Sequence, residues 1–433
     1  MTQQEPNVRQ FLDHVCQHVR AKELHPEIRE EISGHIEERA ESLQLEGYTK
    51  ETAIKEAVKQ MGSSEAIGKS LDHAHRPLPN WRMLAIIALM AVIGILAALN
   101  IQISGSMNNH YSNLFESKTM LTGIGLLALV GFYLSDYRKL LKYADAIFLM
   151  TLGLMVMTIL NSTVVNGSGA YFRIGPLVIN TMAPSLLLLL MSLAGMKSGR
   201  HTGWLEFITQ FCYRGAVPVW LFSLGGSMPL ALIYVIGYLL ITWHANKKNM
   251  KQWFILGLPI IGVFGFILSR VDQVRYRISA FLNPTQGEDY QLIQTAEAIR
   301  SAGWTGHGFA APNEMLPSLQ SESLFPYLIY CFGWGAAIVI GLLVLLFLIE
   351  IWRMSTSLHD PAAQRVTIAF TTVLAFHMLW PILMAFGMVP FANIELPFMA
   401  YGGSTQILYF AAIGMVLSMY RRKNMLPSAE VAA

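Results

Sequence analysis

Charge is scarce in this sequence: only 14% of the 433 residues are Asp, Glu, Lys or Arg, against about a quarter in soluble domains. With 53% hydrophobic residues and a mean hydropathy of +0.42, so few charges cannot cover the apolar surface of a water-soluble fold. The same balance excludes a disordered chain. Cysteine is nearly as rare. Cys16, Cys212 and Cys331 lie far apart, are odd in number and form no CxxC pair, which gives no support for a disulfide framework. No apolar run precedes Met83, so no cleavable leader is expected. Basic clusters such as Lys247-Lys248-x-x-Lys251 are short and face anionic lipid as orientation signals, so no nucleic-acid partner is expected. His14, Cys16 and His18 read as surface composition of an amphipathic helix, and no protein-built metal site is expected.

The charge that is present is unevenly spread. Residues 1–76 hold 24 of the 59 charged side chains, 14 acidic and 10 basic. Within them Ile28, Ile32 and Ile36 recur at i, i+4 and i+8, an apolar stripe between charged faces. A second helix is predicted from Thr49 to Gly62. Residues 1–76 therefore read as a small cytosolic helical bundle and 77–82 as a linker, because Arg76-Pro77-Leu78-Pro79-Asn80 breaks the helical pattern. The bundle resembles the HAAS-like prefix domains joined to bacterial membrane proteins, through IREEISGHIEE and GYTKETAIKEAVKQMG.

From Met83 onward the chain is a series of apolar runs of bilayer-spanning length. Ten spans are expected, near 83–103, 119–135, 143–162, 181–197, 213–225, 227–243, 252–269, 325–350, 366–389 and 404–420. With a cytosolic N-terminus, fifteen Lys and Arg fall inside and six outside (Lys118, Arg173, Arg270, Arg275, Arg277 and Arg300), as the positive-inside rule requires. The expected fold is all-α: a polytopic membrane domain over 83–424, a C-terminal tail over 425–433, and both termini on the cytosolic side of a bacterial cytoplasmic membrane. One outer loop, 270–324, is far longer than the rest, and loops of that length usually carry function. It holds Asp272, Glu288, Asp289, Glu297, Glu314 and Glu322, whereas the spans hold essentially no carboxylates. Acid–base chemistry is therefore expected on the outer face.

Several motifs cluster there. Leu396-Pro397-Phe398-Met399-Ala400-Tyr401-Gly402-Gly403-Ser404 precedes the last span, with a proline and paired glycines that let backbone turn and approach closely. The long loop carries Arg275-x-Arg277-Ile278, Phe281-Leu282-Asn283-Pro284, Tyr290-Gln291-x-x-Gln294, Ala298-Ile299-x-Ser301-x-Gly303 and Gly306-x-Gly308. Asn166-Gly167, Arg173-Ile174-Gly175-Pro176 and Pro184-Ser185 lie before and within the fourth span. In order and spacing this set resembles the SEDS family of shape, elongation, division and sporulation proteins (FtsW, RodA, SpoVE), over about residues 83–424.

The resemblance implies a peptidoglycan glycosyltransferase that polymerises lipid II at the outer leaflet, with a class B penicillin-binding protein as partner and a divalent cation such as Mg as possible cofactor. The family's proposed catalytic Asp lies in its lPExhTDFIF motif, which implies Glu322 as general base within Leu316-Pro317-Ser318-Leu319-Gln320-Ser321-Glu322. Arg275, Arg277, Arg173, Gln291 and Gln294 are the implied contacts for pyrophosphate and sugar. Pro397, Tyr401, Gly402, Gly403, Ser404, Gly306 and Gly308 are the implied structural motif. Other polar positions of the family pattern have changed here: its QPSExxK reads Ala183-Pro184-Ser185-Leu186-Leu187-Leu188-Leu189, the acid of its qPDlGT falls near Gly225-Gly226, and Pro381 stands where an Asn is usual. Two further readings are carried forward: a non-catalytic paralogue that binds lipid-linked precursor or a penicillin-binding protein in a regulatory role, and a lipid-precursor transporter.

Overall fold

The computed structural model describes residues 5–20, 25–74, 79–105, 113–165, 168–174, 177–196, 208–245, 250–282 and 290–423. It divides into two compact units, one of Met1–Pro79 with Tyr420–Ala433 and one of Asn80–Met419. Four helices form the first: α1 (Pro6–Gln17), α2 (His25–Leu45), α3 (Lys50–Gln60) and α4 (Ser64–Ala74). Ile28, Ile32 and Ile36 are all buried and share one apolar core with Val8, Leu12 and Val15 of α1 and with Ala53 and Ile54 of α3. The i, i+4, i+8 spacing places them on one helix face, and burying that face holds the bundle together.

The second unit contains α5 (Trp81–Ser104), α6 (Leu114–Leu134), α7 (Tyr137–Leu141), α8 (Ala144–Leu160) and α9 (Met182–Gly195). A π-helical stretch, Ile208–Ala216, then runs into α10 (Val217–Leu224). After it come α11 (Met228–Ala245), α12 (Met250–Arg270), α13 (Asp272–Leu282), α14 (Tyr290–Ala302), α15 (Leu324–Phe332), α16 (Trp334–Thr356), α17 (Pro361–Ala385) and α18 (Ser404–Arg421). A helix stands at each of the ten expected positions. Among the described residues six helices, α5, α6, α11, α12, α16 and α17, are long and apolar enough to cross a membrane, and α8 and α9 are shorter apolar helices. The protein is a multi-pass membrane protein in this sense.

The structure corrects the expected architecture in three places. Residues 162–180 are not helix-flanking loop but a three-stranded antiparallel sheet of β1 (Ser162–Val165), β2 (Ser168–Ile174) and β3 (Leu177–Asn180), in the order β1-β2-β3. Val164, Val165, Tyr171, Phe172, Ile174, Val178 and Ile179 supply the β-branched and aromatic side chains that favour strands. The eighth span does not run through 325–350 but breaks at Gly333. A Cβ there would lie 2.2 Å from the Trp304 carbonyl oxygen, and Trp334 N–H donates to Gly303 O at 3.1 Å. The chain thus exchanges helix continuity for a tight junction with the 303–308 turn. Lys118, expected among the outer charges, is instead fully buried inside α6.

Candidate active site

The site is assembled from segments distant in sequence. The 303–323 segment is pinned to the α15–α16 junction by His307 N–H and Gly308 N–H, which donate to Tyr330 O and Cys331 O at 2.9 Å each. Gly306 adopts φ 70° and packs so closely on Cys331 that any Cβ would lie 2.2 Å from its carbonyl oxygen. Asn100, fully buried in α5, accepts from the Ala310 amide and donates to Cys331 Sγ. Tyr327 and Tyr330 hydroxyls donate to Ala311 O and Pro312 O. Further along, Tyr401 N–H donates to Gln320 O at 2.8 Å. That bond ties the Leu396–Ser404 motif to the loop bearing Glu322 through the Tyr401 backbone.

Glu322 lies at the end of this loop, just before α15, and is largely enclosed. Burial pushes its carboxyl up to about 7, and the nearby Glu395 charge adds to the effect. Ser318, Arg277 and Gln291 act in the opposite direction and favour the carboxylate. Arg277, on α13, is held by donating from Nη1 to Phe391 O at 3.2 Å. Gln291, on α14, faces Glu322, yet its Nε2 meets no acceptor in hydrogen-bond geometry. Thr295 Oγ1, Gln320 Oε1 and Ser323 Oγ are likewise buried without a hydrogen-bond partner in the protein.

The other implied contacts are placed less centrally. Gln294 is half-buried on α14. Arg275 is 67% exposed and pairs with Asp272 at 3.7 Å. Arg173 belongs to β2, but its side chain is outside the described residues, as are Asn283 and Pro284. Ser404 is the exposed first residue of α18.

Glu395 was not anticipated from the sequence, nor were the positions that Lys118 and Tyr171 take at the site. Glu395 lies deep in the protein while keeping part of its surface accessible. Burial raises its pKa, while the Thr405 hydroxyl, 2.5 Å from Oε1, and the Lys118 charge favour its ionised form. Gly402 packs against that carboxylate, with a Cβ position 2.2 Å from Oε1. Lys118 Nζ donates to Phe398 O at 3.0 Å, Ala400 O at 2.7 Å and Gln406 Oε1 at 3.0 Å, so all three of its N–H groups hold the motif in place. Tyr171, on β2, faces both carboxyls: burial raises its phenol pKa, followed by the charges of Glu395 and Glu322. One signal for Glu395 was available in the sequence, a lone acid among Phe391, Ile394, Leu396 and Phe398.

Among the described residues no three His, Cys, Asp or Glu side chains converge as metal ligands. A divalent cation held together with a substrate diphosphate needs no more than one or two protein carboxylates, and Glu322 and Glu395 are the carboxyls at this site. Leu186 and Leu189 are fully buried in α9, which packs against α8, α11 and α17. Gly226 turns with φ 64° after α10, and Pro381 is buried inside α17.

The comparisons with known proteins agree with one another. The FtsW/RodA/SpoVE family model, described as "Cell cycle protein", matches residues 80–425. The chain is 24% identical over 368 residues to stage V sporulation protein E of Bacillus subtilis (strain 168), covering 79% of this chain and 97% of that protein. It is 26% identical over 370 residues to the probable peptidoglycan glycosyltransferase FtsW of Thioalkalivibrio sp. (strain K90mix), covering 78% and 88%. The fold is similar to a chain from a peptidoglycan synthase complex, with a TM-score of 0.63 and 20% identity over 80% of this chain and 98% of that one. It is also similar to the rod shape determining protein RodA of Thermus thermophilus, with a TM-score of 0.58 and 20% identity over 80% and 97%.

Proposed function

The chain belongs to the FtsW/RodA/SpoVE family of cell cycle proteins, and from that premise we propose that it is a cell-wall glycosyltransferase that polymerises lipid II at the outer leaflet. The observation that carries the reading is Glu322, a largely enclosed carboxyl pushed up to about 7 by burial, with Ser318, Arg277 and Gln291 favouring its ionised form. A general base works best when its pKa lies near the working pH. Glu322 takes the proton from the attacking sugar hydroxyl as that oxygen bonds to the anomeric carbon and the diphosphate departs. Arg277 faces the charge that gathers on the diphosphate. Gln291, which faces Glu322, and Gln294, Arg275 and Arg173 contact the diphosphate and sugar. A divalent cation such as Mg would be held between the diphosphate and the carboxyls of Glu322 and Glu395, where it would neutralise the charge of the leaving group.

The membrane orientation places both termini in the cytosol, supported by the distribution of Lys and Arg. A class B penicillin-binding protein is the proposed partner, supported by the likeness to a chain of a peptidoglycan synthase complex. Residues 1–76 form the prefix domain, 83–424 the membrane domain and 425–433 the tail.

The test is polymerisation of lipid II by the purified full chain with its cognate penicillin-binding protein, against a Glu322→Gln variant and an active relative. Loss of product in the variant is expected; activity that survives Glu322→Gln removes Glu322 as the base. A wild-type complex that forms no product beside an active relative leaves the regulatory, precursor-binding reading. The observation favouring that second reading is the apolar Leu186 and Leu189 pair, at positions where the family pattern has Glu and Lys.

A further inference from the structure

Among the described residues three other than glycine adopt left-handed backbone, Ala310, Ser318 and Phe398, with φ of 56°, 53° and 66°. All three lie in the segments that build the site, 303–323 and 396–404. For a bulky side chain such as Phe398 this conformation is unfavourable and persists only where the surroundings enforce it. Two elements enforce it here. Lys118, fully buried on α6, donates to Phe398 O at 3.0 Å and to Ala400 O at 2.7 Å, the carbonyls on either side of Met399. Its third N–H goes to Gln406 Oε1 at 3.0 Å, and Gln406 Nε2 donates to Thr122 Oγ1 at 2.7 Å, one turn along α6. From α5, Gly94 comes so close that a Cβ would lie 2.5 Å from Met399 O and 2.8 Å from Phe398 O. The residue after Ala400 is Tyr401, whose N–H donates to Gln320 O at 2.8 Å. Gln320 belongs to a tight turn in which Ser318 O accepts from Ser321 N–H at 3.0 Å and from Ser323 N–H at 3.3 Å. Glu322 sits within that turn.

Resting on the reading of Glu322 as base, we propose that Lys118 is a positioning residue for the reaction: by clamping the Phe398–Ala400 backbone it sets, through the Tyr401–Gln320 bond, where the turn carrying Glu322 stands. A base must lie within hydrogen-bond reach of the proton it takes, and a misplacement of about 1 Å can lower a rate about 10²-fold. Backbone strain at such a place fixes geometry in advance of the reaction. Lysine suits the task, because one compact ammonium with three donors satisfies two carbonyls and an amide at once. Fully enclosed in the protein, Lys118 acts without touching the substrate.

The experiment follows two readouts in the purified full-length chain. One is lipid II polymerisation with the penicillin-binding protein, measured with Ser323 unchanged. The other is maleimide labelling, read by mass spectrometry, of a thiol placed beside Glu322 by Ser323→Cys. Ser323 is fully buried and its hydroxyl has no hydrogen-bond partner in the protein, so this near-isosteric change stays unreactive while the turn is in place. Exposed Cys212 and buried Cys331 are the reference thiols, the second reporting whether the membrane unit is intact. Lys118→Met removes all three bonds. It should lower polymerisation about 10²-fold and quicken labelling at position 323 about tenfold, with Cys331 still protected. Lys118→Gln, which keeps two N–H donors, should recover part of both losses. Gly94→Ala, which keeps the lysine and presses on the same backbone from α5, should move both readouts in the same direction by less. Unchanged rate and labelling in Lys118→Met overturn the proposal. So does labelling in Lys118→Met that rises equally at Cys331 and at position 323 while Gly94→Ala moves neither readout, because the lysine then serves the fold alone. Faster labelling at position 323 in a chain that makes no polymer retains the link from Lys118 to the Glu322 turn and removes the glycosyltransferase reading instead.

Discussion

Helix α9 and the segment 386–403 treat polarity in opposite ways. Along α9, from Met182 to Gly195, Leu186, Leu187, Leu189 and Leu190 are buried in an uncharged apolar face. Segment 386–403 carries a deep carboxylate, Glu395, and is held by a lysine that is itself fully buried. The difference teaches that this membrane unit has not simply lost its interior charges. It concentrates them where every donor of Lys118 has a backbone or amide acceptor, which offsets the high cost of charge away from water. The start of α9 is held by Asn180, whose Oδ1 accepts from the first amides of the helix, Met182 and Ala183, and whose side chain also meets Tyr171.

Four measurements would break or sharpen that contrast. Glu322→Gln should lower lipid II polymerisation by about 10²–10⁴-fold, the usual worth of a general base, with the protein still folded and abundant in the membrane. Lys118→Met should destabilise the membrane unit by about 3–5 kcal/mol, because three buried acceptors and Glu395 lose their cation. In contrast Leu189→Met, a change of similar apolar volume on α9, should cost less than about 1.5 kcal/mol. Thermal unfolding in detergent reads both, and equal losses would erase the distinction between the two regions. The wild-type rate should rise with pH through about 7 as Glu322 gives up its proton, since a base must be ionised to act; a profile flat from pH 5 to 9 would contradict this. Smallest is the arginine pair. Arg277→Ala should reduce turnover about tenfold, while Arg275→Ala, exposed and paired with Asp272, should change it less than about twofold.

Much of this was readable from local pattern. The isoleucine stripe of α2 predicted a buried face because a helix repeats every 3.6 residues, and Ile28, Ile32 and Ile36 are buried. Apolar run length and the placement of lysines and arginines gave the series of spans. Gly306 was legible as a motif residue, but the reason for it, the Cys331 carbonyl pressed against it, was not. The small sheet was missed because its strands, two of four residues and one of seven, are too short for an alternating pattern to distinguish them from the loop expected between two spans. The break at Gly333 was missed because the apolar run continues through it, while the 303–308 turn that requires the break lies far earlier in the chain.

The sequence by itself determined the class of the protein, since scarce charge and repeated apolar runs leave a membrane-embedded helical unit as the only way to keep that surface from water. It also determined which residues stand at the family's motif positions, Glu322 among them. Only the tertiary structure decided what surrounds Glu322. The distances among Glu322, Glu395, Lys118 and Tyr171 are set by four elements packing together, and burial, charge and hydrogen bonding at such a junction depend on neighbours that linear spacing does not record. The shortage of charge identifies a membrane protein, and its fold shows where the few interior charges are kept and how they act on one carboxyl.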